Sequence, residues 1–419
     1  MNYSDKEQIS HVARRLGFGI EPQILASATS VDDAINAALD LSTPTPEPTD
    51  LVAPVDFEDS RSQEQRQAPY RYWITQMVSG PRRIEERLTW FWHDHFATSI
   101  RKVQVPYLMY VQHLTLREHA TGNFADLLYG VATDPAMLIY LDGFQNQVGA
   151  INENFGREVM ELFTLGIGNY TEEDVLAASA AFSGWIVARG GGRAERLGAT
   201  PWEATFVQRR HDDSTNTFLG VTGSHDAQDA VDILLEQPAT AEFITSKLYR
   251  ELVGPSPGEE TTRRIAAAFR RDYSIMALVE AIVAEPAFTS DDAIRAKVRT
   301  PLERAVGLAQ VYGYETEGQR GRGNNAIRML ESVGYAPFNP PDVAGYTKGT
   351  RLLGPYILVH GFDLSWMVST SDAPSTTTDF MEGLGLFDLT DETRTVLDEA
   401  PDPATRAALA INAPEYLLV

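Results

Sequence analysis

The chain has 419 residues, of which 43% are hydrophobic and 10% aromatic, so it can bury a sizeable core and lacks the composition of a disordered chain. Lys and Arg total 35 against 58 Asp and Glu. The formal net charge of -23 disfavours binding to nucleic-acid phosphate backbones and to anionic lipid surfaces. We therefore expect an unidentified small molecule or protein as partner, with no nucleic acid and no membrane. Without cysteine, any metal would need His, Asp, Glu or carbonyl ligands.

The first residues, MNYSDKEQISHVARRLGFG, contain no apolar run of the kind that an export signal carries. No stretch elsewhere reaches the roughly 18 apolar residues of a membrane-spanning helix. The sequence therefore predicts a cytoplasmic protein.

Helix signals dominate the chain. Ser4 and Glu7 form a capping-box pattern that opens a helix ending near Gly17 or Gly19. Proline, glycine and capping residues then delimit further helices at about 60–79, 81–99, 103–120, 123–133, 152–165, 171–182, 226–236, 239–252, 260–271, 274–285, 291–297, 301–312, 324–333, 356–367 and 402–411.

Two segments break this helical pattern. Residues 42–58 are rich in Pro and Thr and predict an extended surface connection, while residues 185–222 contain β-type runs that predict a small hairpin insert. The sequence has no fixed-period repeat, and this absence disfavours a solenoid. The predicted fold is mainly α, an irregular multi-helix globular bundle that forms a single unit over residues 1–419.

Several segments together resemble one bacterial family, catalogued as domain of unknown function 1800. They are HVARRLGFG (11–19), FWHDHFATS (91–99), DPAMLIYLDG (134–143), NENFGREVMELFTLGIGNYTEEDV (152–175), FSGW (182–185), HDDSTNTFLG (211–220), PATAEFITSKLYREL (238–252), KVRTPLE (297–303) and PFNPPDVAGY (337–346). The resemblance implies no particular activity, because none is established for the family. In HDDSTNTFLG, Asn216 stands where the family pattern has lysine, which weakens an anion site in that loop.

A histidine continues the apolar stripe of the helix predicted to open at Pro81. His95 follows positions that step by three and four, namely Ile84, Leu88, Phe91 and Trp92, so it should point inward. His93 lies about 200 degrees round the helix, so the two rings cannot face one metal while the helix continues. His95 is then either a buried imidazole satisfied by a carboxylate or carbonyl group, or a ligand or general base.

Possible acidic partners for His95 lie on the helix predicted over 152–165. Asn154, Arg157, Glu158 and Glu161 share one arc, which is either a solvated face with an Arg157 to Glu161 pair or a cation-binding face. The functional hypothesis makes His95, Glu158 and Glu161 the catalytic residues. They would hold a divalent metal ion as cofactor, or one carboxyl with a raised pKa would donate a proton while the other stays ionised.

Cationic residues form a second set within the family-like segments: Arg14, Arg15, Arg157, Lys247, Arg250, Lys297 and Arg299. If they converge, they would bind a carboxylate or phosphate group despite the acidic surface, since charge is screened over about 8 Å. Otherwise they clamp helix ends and neutralise buried acids. We take Arg157, Arg250, Arg299 and Asn154 as the predicted substrate-binding residues.

Two classes of function remain open. The sequence contains no HExxH, Walker, dinucleotide-fingerprint or GxSxG motif, so the best-known metalloprotease, nucleotide, Rossmann and serine hydrolase classes have no support. The first class is an enzyme with a buried His and carboxylate site, with or without a metal. The alternative is a noncatalytic helical binding or assembly protein.

Overall fold

The computed structural model describes residues 3–20, 27–46, 51–188, 198–313, 322–367, 374 and 376–419. Helices dominate this part of the chain, and the described strands form two small two-stranded antiparallel sheets. The predicted mainly α fold with a small β insert is confirmed.

Several helices of the first half begin at capping residues that the sequence indicated. The Ser4 side chain accepts from the Glu7 amide, and Thr171 and Asp174 form a capping box. The helices are Asp5–Leu16, Val31–Ala38, Gln63–Ser79, Arg83–His95, Ile100–Val103, Pro106–His119, Phe124–Ala132, Pro135–Tyr140, Glu153–Glu158 with the π-helix Val159–Thr164, and Glu172–Ala181.

The helices of the second half follow in short steps. They are Ala227–Glu236, Pro238–Leu252, Glu259–Phe269, Ile275–Val283, Pro301–Tyr312, Arg322–Ser332, Pro355–Gly361, Thr377–Gly383, Asp391–Asp398, Pro403–Ala410 and Pro414–Leu417. Short 3-10 turns occur at Asp59–Arg61, Gly143–Gln145, Gln208–Arg210, Gly349–Leu353 and Phe362–Met367.

One predicted helix, at 291–297, is wrong. Arg295 has a φ of 62°, which a right-handed helix excludes. The end of this segment instead pairs with the carboxyl terminus, where the Lys297 amide donates to the Val419 carbonyl oxygen over 2.9 Å. A long-range strand-like contact therefore replaces the local helix.

The β insert consists of two separate hairpin-like pairs. Trp185–Val187 pairs antiparallel with Ala204–Phe206, and Asn216–Phe218 pairs with Val221–Gly223. Residues 189–197 lie outside the described part. Of the predicted 42–58 connection, residues 47–50 also lie outside it, and the remainder contains neither helix nor strand.

The Arg83–His95 helix runs through the middle of the packing. Every residue from Ile84 to His95 is buried. Leu88 and Trp92 belong to one cluster of buried apolar side chains, and Trp90 belongs to a second. Side chains on opposite sides of this helix therefore enter two different cores.

No described helix has both the length and the apolar character that crossing a membrane requires.

Candidate functional site

His95 is buried, as its apolar stripe predicts, with 2% of its surface exposed. Its Nε2 lies 3.0 Å from the Phe163 carbonyl oxygen, and its ring packs among aromatic side chains, including Phe96 at 4.5 Å between ring centroids. Burial, with the nearby charge of Lys247 second, holds the pKa of His95 well below its usual value. A neutral His95 donates to a backbone carbonyl group. This contact matches the alternative in which His95 is a buried imidazole satisfied by a carbonyl group.

His93 enters the other core. Its Nε2 accepts a hydrogen bond from the Phe338 amide over 3.1 Å, and burial lowers the pKa of His93 to about 3. Trp73 lies edge-on at 5.0 Å between ring centroids. The two histidines of the HDH motif thus point to different clusters, as expected for residues two apart on a helix.

Glu158 and Glu161 lie where an α-helix turns into a π-helix. Glu161 accepts a hydrogen bond from the Tyr170 hydroxyl over 2.6 Å. Burial and then the charge of Glu161 raise the pKa of Glu158. Two carboxylates are therefore close enough to influence each other, but neither is a hydrogen-bond partner of His95 among the described residues.

The predicted binding residues on this arc lie at the surface. Arg157 forms ion pairs with Glu172 at 2.7 Å and Glu153 at 3.3 Å, and Asn154 is exposed. Among the described residues, no group of three His, Asp or Glu side chains is arranged to hold a metal ion. The hypothesis of a metal held by His95, Glu158 and Glu161 gains no support here and stays a prediction.

The π-helix Val159–Thr164 presents carbonyl groups to neighbouring helices. Its end is marked by Gly166, which has a φ of 78°, and carbonyl groups in the last turn of a helix lack intrahelical partners. The Phe163 carbonyl oxygen lies 3.0 Å from His95 Nε2, and the Leu162 carbonyl oxygen lies 3.5 Å from Lys247 Nζ. The helix end therefore positions the amine of Lys247.

A partly enclosed cavity of about 440 Å³ lies beside this amine. It is bounded by the Arg83–His95 and Pro238–Leu252 helices, the segment 296–300 and the loop 335–352. Its aromatic lining comprises Trp90, Phe91, Tyr335 and Tyr346, and its charged lining comprises Asp94, Lys247, Arg250, Glu251, Lys297 and Lys348.

Both acids of the lining already have cationic partners. Asp94 forms a close ion pair with Lys348, and its Oδ1 accepts from the Tyr346 amide over 2.7 Å. Gly345 makes this approach possible, because it has a φ of 95° and a Cβ there would overlap Asp94. The loop is therefore fixed to the middle residue of the HDH motif.

Glu251 belongs to a buried ion network on the floor of the cavity. It lies 2.7 Å from both Arg87 and Lys297. Arg87 also forms a close ion pair with Glu303, and Lys297 lies 3.3 Å from the same acid. Burial raises the pKa of Glu251, but the charges of Lys297 and Arg87 outweigh it and lower the pKa overall. The two acids of this network therefore favour their ionised forms.

Lys247 and Arg250 have no acidic partner among the described residues. Lys247 Nζ contacts the Leu162 carbonyl oxygen and lies 5.1 Å from the ring centroid of Phe243, while Arg250 Nε donates to Ser256 Oγ over 3.1 Å. Burial, and then the charge of Lys348, lower the pKa of Lys247 to about 7. Arg250 and the protonated fraction of Lys247 supply the positive charge left over at the cavity.

The predicted cationic set thus divides. Lys247, Arg250 and Lys297 line the cavity. Arg299 does not: it is buried against the Tyr416 ring, 4.2 Å from the centroid, and donates to the Phe18 carbonyl oxygen over 3.4 Å. Arg14 pairs with Glu7 at 2.7 Å. The buried members clamp the fold, which was the structural alternative for this set.

Sequence reasoning missed Asp94, Glu251 and Lys348 as members of one site. Asp94 lies between His93 and His95, which sequence reasoning considered as candidate ligands. Asp94 is nevertheless the member of the motif that lines the cavity. Lys247, Arg250 and Glu251 are spaced three and four apart, which places them on one helix face. That spacing could have predicted that Lys247, Arg250 and Glu251 share one site. No sequence pattern marked Lys348 as a member of the site.

The fold and the site define a mainly helical protein with a cationic, aromatic-lined cavity. The chain belongs to the family described as "Protein of unknown function (DUF1800)", whose model matches residues 11–418. No curated protein and no solved structure matches the chain. Segments that carry the family resemblance meet at the cavity: they contribute Asp94, Lys247, Lys297 and Tyr346 among others.

Proposed function

We propose that the protein binds a small organic anion in the cavity beside Lys247. One observation carries the proposal: four basic side chains line the cavity against two acidic ones, in a chain with a net charge of -23. Clustered cations in an acidic protein cost stability unless an anion accompanies them. The ligand supplies that anion.

The chemistry of the lining defines the ligand class. Lys247 and Arg250 are the groups that would bind a carboxylate or phosphate, since arginine offers a planar fork and lysine a point charge. Trp90 and Tyr335 lie on the same cavity and would pack against an apolar or aromatic part. The volume of about 440 Å³ suits a small molecule, because such sites span roughly 300–1,000 Å³.

The pairing of the acids supports the same conclusion. Asp94 and Glu251 are each held by lysine or arginine, so they do not cancel the charges of Lys247 and Arg250. The arrangement favours a ligand-binding protein or an enzyme acting on an anionic substrate. A purely assembly role would not need a cationic cavity.

The Glu158 and Glu161 pair is a second candidate site. The observation that favours it is the raised pKa of Glu158, caused by burial and by Glu161. A carboxyl whose pKa is raised by a neighbouring carboxyl can serve as proton donor or acceptor. His95 and a divalent metal ion remain the predicted additions to this pair.

Calorimetric titration tests the anion proposal. Benzoate and phenyl phosphate should bind the wild-type protein, whereas benzylamine, with the same ring and the opposite charge, should not. Arg250→Met should weaken benzoate binding roughly tenfold or more, because a hydrogen bond to a charged group contributes about 1.5–3 kcal/mol.

Arg263→Met is the matched control, because Arg263 is an exposed arginine paired with Glu259 at 3.5 Å and does not line the cavity. Its benzoate affinity should equal that of the wild type. Benzylamine binding as tightly as benzoate, or benzoate binding unchanged by Arg250→Met, would overturn the proposal.

A further inference from the structure

Lys247 differs from the other two lysines of the cavity in its surroundings. Lys297 lies between Glu251 and Glu303, and Lys348 pairs with Asp94, so both amines are engaged in ion pairs. Lys247 has no carboxylate within ion-pair distance in the described part of the chain. It is the cavity lysine whose amine is left available for chemistry.

The charges around Lys247 favour a neutral amine. Lys348 faces it from the loop and Arg250 lies three residues along its own helix, while Asp94 opposes them from the Arg83–His95 helix and His95 is uncharged. Burial and these cations lower the pKa of Lys247 to about 7. A substantial fraction is therefore unprotonated at neutral pH, as a nucleophilic lysine requires.

The contacts of the amine leave its lone pair accessible. Lys247 Nζ can direct one N–H toward the Leu162 carbonyl oxygen, 3.5 Å away, and the Phe243 ring covers another side. Since lone pair and N–H point in different directions, donation to the backbone turns the lone pair away from Leu162. Lys247 also lines the cavity.

We propose that Lys247 forms a Schiff base with the carbonyl group of a 2-oxo acid bound in this cavity. The inference rests on the proposed function, because the carboxylate of the oxo acid would be the anion held by Arg250. Its ketone carbon is bonded directly to that carboxylate, and Lys247 lines the same cavity as Arg250.

The step balances with one proton taken up from the solvent. The nitrogen lone pair attacks the ketone carbon, the carbonyl π electrons move to oxygen, and proton transfer from nitrogen to oxygen gives a carbinolamine. A further proton on that oxygen lets water leave as the nitrogen lone pair forms the C=N bond. Amine, ketone and one proton from the solvent thus give iminium and water, with no change in oxidation state.

Borohydride trapping with phenylpyruvate tests the inference. The iminium carbon accepts hydride, so the adduct becomes a stable secondary amine whose mass exceeds that of the protein by phenylpyruvate less one oxygen atom. Intact mass and peptide mapping should place one adduct on Lys247, and excess phenyllactate, which has a hydroxyl in place of the ketone, should prevent it.

Two variants control the experiment. Lys247→Met should give no adduct, and Lys102→Met, which removes a surface lysine paired with Asp142 at 2.7 Å, should trap like the wild type. Adducts spread over many lysines, or an adduct that persists in Lys247→Met, would overturn the inference.

Calorimetry with phenyllactate separates the two proposals. If phenyllactate and phenylpyruvate both bind but borohydride traps nothing at Lys247, the Schiff base is wrong and the anion site stands. If neither binds, the anion site itself is wrong and the Schiff base falls with it.

Discussion

Lys247 Nζ lies 3.5 Å from the carbonyl oxygen of Leu162, in the last turn of a π-helix, and forms no ion pair with any acid in the described part of the chain. The carbonyl end of a helix attracts a cation. The Leu162 contact therefore places a lysine at the rim of an aromatic cavity without neutralising it by a carboxylate.

Anion binding should be coupled to proton uptake by Lys247. In the protein without ligand the pKa of Lys247 is about 7. A bound carboxylate favours the charged form of the amine and so raises this pKa. At pH 8 benzoate binding should therefore take up protons, approaching about one per ligand, and affinity should fall by up to roughly tenfold per pH unit as pH rises above 7.

Calorimetry in buffers of different ionisation enthalpy measures this uptake. The uptake should fade below pH 6, where the amine is already charged, and should be absent in Lys247→Met. Benzoate binding with no proton exchange at pH 8 would contradict the assigned role of Lys247.

Replacing Lys247 should stabilise the protein while weakening benzoate binding. Its pKa is lowered from 10.5 to about 7, so between these values the unfolded chain binds more protons than the folded one, and the contribution of Lys247 to stability improves as pH rises. Lys247→Met should thus gain about 1–3 kcal/mol at pH 6.5 and less at pH 10. Urea unfolding measures both values.

Lys102→Met serves as the reference for this comparison, since surface pairs contribute little and its stability should change by less than about 1 kcal/mol. A Lys247→Met variant that is less stable than wild type at pH 6.5 would show that the amine is structural.

The floor of the cavity should be essential to the fold. Arg87 is fully buried and bridges Glu251 and Glu303, so Arg87→Met leaves the half-buried Glu251 and the buried Glu303 sharing Lys297. Breaking a buried pair by removing one partner costs about 3–5 kcal/mol. Urea unfolding of Arg87→Met should show a loss of this size.

Arg71→Met is the matched comparison, because Arg71 pairs with Glu64 at 2.7 Å with side chains 48% and 64% exposed. Its loss should stay below about 1 kcal/mol. Equal losses in the two variants would mean that the buried network does not stabilise the floor.

The titration of Glu158 should depend on the charge of Glu161. Burial and Glu161 raise the pKa of Glu158, so Glu161→Gln should move that pKa back toward 4.5, the ordinary value of a glutamate. Carbon-13 NMR of the side-chain carboxyl groups follows this directly. An unchanged Glu158 titration in Glu161→Gln would remove the electrostatic link on which this second site depends.

The sequence predicted the fold better than it predicted the site. Caps such as Ser4 and Thr171 act locally, so they mark helix starts reliably, whereas the turn at Arg295 depends on pairing with the distant carboxyl terminus. His95 was correctly placed inside the protein, but its partner is the Phe163 carbonyl oxygen, which side-chain patterns do not reveal.

The cavity depends on contacts between distant segments. Asp94 and Lys348 are far apart in sequence and meet because Gly345 lets the loop approach the helix, while Lys247 and Lys297 come from two further elements. Residue types suggested an anion site, but only the fold selects which cations converge. The expected cytoplasmic location stays a prediction.

The most direct test of the anion site is a crystal structure with 4-iodobenzoate, whose iodine is located by anomalous scattering. The carboxylate should lie within hydrogen-bond distance of Lys247 and Arg250, with the ring against the aromatic wall at Trp90. Iodobenzoate bound elsewhere while the cavity stays empty, or bound with its carboxylate turned away from both cations, would contradict the account.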